Sequence, residues 1–339
     1  MLLYSLDGES SLALALSRAL ELPLAGHEER RFDDGERKWR PLTDPRGQDA
    51  YVLASLHGDL DDSPHDKVFG LLSMCATLRA HAAARVTAVI PYLAYARKDA
   101  RTQPHDPLGT QLLARLLEAA GCDQVMVFEP HHAGACENAF RVPVMTIDAA
   151  PAFDAAVRVW SDEGLASTPA TGAVGPGRLH PPPLVVASPD PGGVKRVLRW
   201  REHLEDLLSR PVGFAMVDKR RGLGLVHSGH LVAGDVDGAT VLLRDDLIAS
   251  GDTLAHAAVA LRHAGAAQIH ALAAHGLFVG HADRVLAEAP LDSITVTDSV
   301  PAFRMPASCA ASARLRTVSA AGPLLQVLRD SRDAFARGG

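Results

Sequence analysis

The sequence predicts an α/β protein built on mostly parallel sheets, and three observations carry that prediction. Short runs of buried-type residues alternate with segments whose apolar positions recur at helical spacing. The alternation restarts after Ser161 to Pro183, a stretch rich in Ser, Thr, Pro, Gly and Ala that lacks a clear period. A length of 339 residues leaves room for two domains or one large one.

In the first half, Val68, Leu71, Leu72, Cys75 and Leu78 fall at helical spacing, and Val86 to Ile90 reads as a buried strand. Leu112, Leu113, Leu116 and Leu117 mark a second helix, which Gly121 can stop, and Gln124 to Phe128 reads as the next strand. In the second half, strands are expected at Leu184 to Ala187, Gly213 to Val217, Thr240 to Arg244, Gln268 to Ala273 and Ile294 to Thr297. Helices are expected over Gly193 to Leu208 and Thr253 to His263, and a terminal one over Gly322 to Ala336. The natural division is two similar α/β domains, 1–150 and 151–307, followed by a helical segment 308–339. Residues 161–183 are then a flexible insertion near the junction.

A hydrophobic fraction of 47% against 22% charged is that of a soluble globular chain with ample core. The net charge of −6, with no basic block, argues against nucleic-acid binding. Acids interrupt the first apolar run at Asp7 and Glu9, so neither a signal peptide nor a membrane span is expected. Cys75, Cys122, Cys136 and Cys309 have no CxxC spacing and suit a reducing cytoplasm.

Chemistry concentrates at the ends of the predicted strands. The run Leu242-Leu243-Arg244 leads into two adjacent carboxylates, Asp245 and Asp246. A small-residue loop follows, Ala249-Ser250-Gly251-Asp252-Thr253, and then a helix. Carboxylates suit sugar hydroxyls, and backbone N–H groups at a helix start suit a phosphate, so the stretch points to a sugar phosphate. No G-x-x-x-x-G-K-[ST] occurs, and the G-x-G near Gly222 lacks a suitable preceding strand. Any ATP site is therefore of another kind.

Five further segments accompany this loop. They are Phe32-Asp33-Asp34-Gly35-Glu36, Arg97-Lys98-Asp99 with Arg101, Glu129-Pro130-His131, Ser188-Pro189-Asp190-Pro191-Gly192-Gly193, and Asp218-Lys219-Arg220-Arg221. Taken singly, each has an ordinary structural reading as a turn or a solvated loop start. In this order and at these separations the six resemble ribose-phosphate diphosphokinases (PRPP synthetases), over roughly Arg31 to Pro301. The resemblance implies two phosphoribosyltransferase-like domains, each a mostly parallel sheet flanked by helices.

It also implies roles. Phe32, Asp34 and Glu36 would hold the ATP base, often that of a neighbouring subunit, so a homo-oligomer is expected. Arg97, Lys98, Asp99 and Arg101 would meet ATP; the family usually has Gln where Lys98 stands. His131 would meet Mg²⁺–ATP, favoured over His132 on register, and the acid before it is Glu129 where Asp is usual. Asp190 is a hard oxygen donor suited to Mg²⁺, whereas Lys195 and Arg196 read as solvent-facing. Lys219 would be the catalytic lysine and Arg221 a phosphate contact, in a segment that Gly222 and Gly224 make mobile. Asp245, Asp246, Ala249, Ser250, Gly251, Asp252 and Thr253 would bind ribose 5-phosphate. Two of these depart from the usual pattern, which has Asp where Ala249 stands and Gly where Asp252 stands.

The implied reaction is attack of the C1 hydroxyl of ribose 5-phosphate on the β-phosphorus of Mg-ATP, giving PRPP and AMP. A phosphoribosyltransferase consuming PRPP would share the loop at Asp245 without needing the ATP-side segments. A catalytically silent regulatory subunit is the third reading, motivated by Ala249 and Asp252.

Overall fold

The structure, a computed structural model, describes residues 1–166, 183–219 and 230–338. The chain forms two compact units. The first comprises residues 1–149, 298–300 and 319–339, and the second 150–297 and 301–318.

The first unit opens with β1 (Leu2–Ser5), α1 (Ser11–Leu20), β2 (His27–Arg31) and β3 (Arg37–Pro41). It continues with β4 (Asp49–Leu53), α2 (Pro64–Ala80), β5 (Arg85–Ile90) and α3 (Gly109–Ala119), then β6 (Gln124–Phe128), α4 (Ala133–Ala139) and β7 (Val144–Ile147). The sheet order is β1-β4-β5-β6-β7, every pair parallel. Its central strands are continuous apolar runs because helices cover both faces. The start of α2 is fixed by a capping box between Ser63 and Asp66, with Pro64 behind it. In α3, Leu113 and Leu117 are buried, but Leu112 and Leu116 lie on the exposed face. The antiparallel hairpin β2–β3 stands apart from this sheet.

The second unit contains α5 (Asp154–Ala166), β8 (Leu184–Ser188), α6 (Val194–Leu208), β9 (Gly213–Lys219), β10 (His230–Ala233), β11 (Thr240–Ile248) and α7 (Asp252–His263). After these come β12 (Gln268–Gly276), α8 (Ala282–Glu288), β13 (Ser293–Thr297) and β14 (Leu315–Val318). The order is β10-β9-β8-β11-β12-β13-β14, parallel except for β10 against β9. The core packs α7 residues such as Leu254, Ala258 and Leu261 against Val241, Leu243 and Ile269 of the sheet.

Three expectations change. Residues 161–166 complete helix α5 rather than opening a loop, and the rest of the expected insertion, 167–182, lies outside the described residues. Segment 308–339 divides: Leu315–Val318 pairs with β13, whereas α9 (Ala321–Gly338) joins the first unit. The reason is polar as well as apolar docking. Arg329 donates to the Ala19 carbonyl at 2.7 Å, and Ser331 bonds Tyr51 and Gln124 at 3.0 Å each. Arg85, paired with buried Asp49 at 2.8 Å, also donates to the Ser331 carbonyl. Finally, β11 does not end at Arg244 but runs to Ile248, so the acid pair lies inside the strand.

Candidate functional site

In the second sheet the chain passes from β8 to β9 on one side and returns to β11 on the other. The carboxyl ends of β8 and β11 therefore flank a reversal of strand order, where open α/β sheets form a ligand crevice. Register places Leu243 beside Ala187, so the loop after β8 and the acids of β11 emerge side by side.

Beyond β8, Asp190 is exposed and one carboxylate oxygen accepts the Gly193 N–H at 3.1 Å, capping the turn that leads into α6. Gly193 is required by packing: a Cβ there would stand 2.6 Å from Ser188 Oγ. Lys195 is exposed as expected, but Arg196 is not, with a side chain only 11% exposed. Arg196 faces the acid pair, 3.5 Å from Asp246 and 3.9 Å from Asp245. This was legible as helical spacing, since Arg196 lies one turn before buried Trp200.

The two acids differ. Asp246 is buried, and Asp245 is the more accessible. Burial and then the neighbouring Asp246 charge push the Asp245 carboxyl well above its ordinary range, while Arg196 opposes the shift. Asp245 also accepts the Asp246 N–H at 2.8 Å. Arg244, fully buried one residue earlier, stacks over Trp200 at 5.2 Å.

The loop after β11 is held by backbone bonds. The Leu277 N–H donates to the Ile248 carbonyl and the Val279 N–H to the Ala249 carbonyl, both at 2.9 Å. Gly251 has φ +85°, and a Cβ on it would meet Leu286 at 2.9 Å. Asp252 is the first residue of α7, and its carboxylate accepts from the Ser250 hydroxyl at 2.6 Å. His281 lies 3.9 Å from the same carboxylate. Thr253 is exposed on the first turn.

Lys219 is the last residue of β9; Arg221, with Gly222 and Gly224, lies outside the described residues. The Lys219 backbone pairs with His230 of β10.

In the first unit, Phe32, Asp34 and Glu36 form the exposed tip of the β2–β3 hairpin. Asp34 accepts the Glu36 N–H at 3.0 Å, an Asx turn. Arg97 and Arg101 are exposed beyond β5. Lys98 is engaged within its own loop: its ammonium bonds Asp106 at 2.5 Å and Thr102 at 2.9 Å. The Lys98 bond, with those the Thr102 hydroxyl and the Gln103 N–H donate to the same carboxylate, holds Asp106 well below its usual range. Asp99 is half-buried beside it.

After β6, Glu129 is buried with φ 41°, and its carboxylate accepts the Ala149 N–H at 2.7 Å. The extra methylene lets this acid reach inward to the backbone. His131 is exposed. His132 caps α4, accepting the Ala135 N–H at 2.9 Å, so its ring nitrogen already has a structural task.

An acid pair followed by a small-residue loop, set at the reversal of a mostly parallel sheet, defines an α/β protein of the phosphoribosyltransferase type. The family model described as the N-terminal domain of ribose phosphate pyrophosphokinase matches residues 1–121. That of the phosphoribosyl synthetase-associated domain matches residues 227–329. The ribose-phosphate pyrophosphokinase of Granulibacter bethesdensis is 34% identical over 300 residues, covering 88% of this chain and 87% of that protein. The one from Neisseria meningitidis serogroup A is 30% identical over 330 residues, covering 97% and 91%. The crystal structure of phosphoribosylpyrophosphate synthetase from Mycobacterium smegmatis superposes with a TM-score of 0.80 at 26% identity, covering 98% of this chain and 99% of that one. The chain belongs to the ribose-phosphate pyrophosphokinase family.

Proposed function

We infer that this chain transfers the β,γ-diphosphoryl group of ATP to the C1 hydroxyl of ribose 5-phosphate, giving PRPP and AMP. One observation carries the reading: in a member of this family, Asp245 and Asp246 stand with Arg196 and the 249–253 loop at the reversal of the second sheet. The more accessible Asp245 would accept hydrogen bonds from ribose hydroxyls. The loop from Ala249 to Thr253, opening α7, would hold the 5-phosphate through backbone N–H groups and hydroxyls.

The C1 oxygen attacks the β-phosphorus, the bond to the α,β-bridging oxygen breaks, the C1 hydroxyl loses its proton and AMP departs. Such a transfer needs alignment and charge neutralisation more than covalent catalysis. Lys219 and Arg221 are assigned to neutralise the transferred group. On the nucleotide side, Phe32, Asp34 and Glu36 would embrace the base, with Arg97, Lys98, Asp99 and Arg101 meeting ATP. Lys98 would have to exchange its bond to Asp106 for one to phosphate.

The donors fit Mg²⁺. Among the described residues no three His, Cys, Asp or Glu side chains cluster as a cage for a metal. Mg²⁺ characteristically takes one or two protein ligands, substrate phosphates and water. In the second unit the exposed Asp190 carboxylate, a hard oxygen donor, would hold it; in the first unit, taken by itself, the exposed His131 would meet the Mg²⁺–ATP complex. Bound there, the ion would supply charge neutralisation at the phosphates. We read the chain as working in a homo-oligomer; among the described residues no helix is long and apolar enough to cross a membrane.

The test is incubation of the chain with ATP, Mg²⁺ and ribose 5-phosphate, with no nucleobase present. Equal amounts of AMP and PRPP are expected. Absence of AMP rejects the reading, and PRPP consumption only with a nucleobase turns it into a phosphoribosyltransferase.

A further inference from the structure

An isolated two-stranded hairpin is marginally stable in water and must be held by something else. The hairpin β2–β3 is such a hairpin, and residues 31 to 36, which include its whole turn, are exposed. The tip is nevertheless ordered within itself. The Phe32 N–H donates to the Glu36 carbonyl at 2.8 Å, the Gly35 N–H to the Phe32 carbonyl at 3.0 Å, and Arg30 lies over the Phe32 ring at 4.9 Å. A tip that is internally bonded and otherwise unpacked points wherever its base is fixed.

The base is fixed at two points. Trp39, 7% exposed, fits over Gly70 of α2, where a Cβ would stand 3.0 Å from the indole. Arg37, directly after the tip and the first residue of β3, has a side chain only 10% exposed. Its guanidinium pairs with Glu29 across the hairpin at 3.0 Å and with Asp62 in the loop before α2. Asp62 is itself held: its N–H donates to Asp59 at 2.8 Å, and Asp59 pairs with Lys67 of α2 at 2.7 Å. A continuous chain of charge-assisted bonds thus runs from Lys67 through Asp59, Asp62 and Arg37 to Glu29.

We propose that Arg37, anchored by Asp62, is a positioning residue that aims the hairpin tip at the nucleotide. The role rests on the activity inferred above and on the assignment of Phe32, Asp34 and Glu36 to the ATP base. Arg37 touches no substrate; it acts through the direction of the tip.

Three measurements on the full chain test this. Arg37→Ala should raise KM for ATP about tenfold or more while KM for ribose 5-phosphate stays within about twofold. Hydrogen exchange at residues 32–36 should quicken in that variant, with Tm changed little. Arg37→Glu combined with Asp62→Arg should restore most of the ATP affinity that Arg37→Glu alone loses. If Arg37→Ala fails to fold, Asp62→Asn, which keeps size, should give the same split. Unchanged KM for ATP, or equal rises in both KM values, overturns the proposal. A wild-type chain that yields no AMP overturns the activity itself and this role with it.

Discussion

Ser250 and Asp252 close a bond across the turn into α7, hydroxyl to carboxylate at 2.6 Å. The loop thereby carries a negative charge of its own at the end of the helix that attracts anions. The resemblance implies a glycine here, which would leave the position open, where this chain has an acid.

Replacing Asp252 with Gly should therefore lower KM for ribose 5-phosphate. Removing one like charge at a helix N-terminus is worth about 1 kcal/mol, or about fivefold. Turnover should change little, because in the proposed reading this position would face the non-reacting end of the substrate. A KM that rises instead would show that the carboxylate helps to organise the loop.

Lys219→Ala should cut turnover at least ~100-fold, the usual cost of losing one group aimed at developing charge. Binding of ribose 5-phosphate, followed by calorimetry, should survive. Near-normal turnover would remove Lys219 from its role.

Arg196→Ala strips the facing cation from a largely buried acid pair. Loss of one partner from such a site costs about 3 kcal/mol, readable as a lower urea midpoint. Combining it with Asp246→Asn should recover part of the loss, as coupled neighbours do.

His270 gives the second unit a pH dependence. It stacks on Trp160 at 4.4 Å and bonds Ser293 at 2.8 Å. Burial pushes its pKa from 6.5 down to about 4; Arg316 and Arg262 act the same way, and Asp292 opposes them. The unfolded chain therefore binds a proton between pH 6.5 and 4 that the folded chain refuses. This contribution is complete above pH 6.5 and is lost on acidification through pH 4, by about 3 kcal/mol in all. Unfolding curves of wild type and His270→Gln should converge in slope once that window is passed.

Strands buried on both faces were legible as apolar runs, and β6 spans the residues Gln124 to Phe128 that its pattern predicts. The hairpin strands were not. His27–Arg31 and Arg37–Pro41 are largely charged, and they pair through cross-strand bonds such as Arg40 to Glu28 at 2.8 Å rather than through an apolar face. The end of β11 was missed for a related reason. Two carboxylates look like the end of a strand unless a cation opposite them is known, and Arg196 supplies it from another element. The positions of the acid pair and its loop could be read locally; the inward turn of Glu129 toward Ala149 could not, because its partner lies 20 residues away.

The docking of α9 has a consequence for how the molecule is made. Synthesis delivers residues 1–149 early, yet the helix that seals Tyr51, Arg85 and Gln124 emerges only after the entire second unit has been built. Until then the nascent first unit lacks the partners of Tyr51, Arg85 and Gln124, and incompletely packed surface of that kind is what makes a growing chain prone to association.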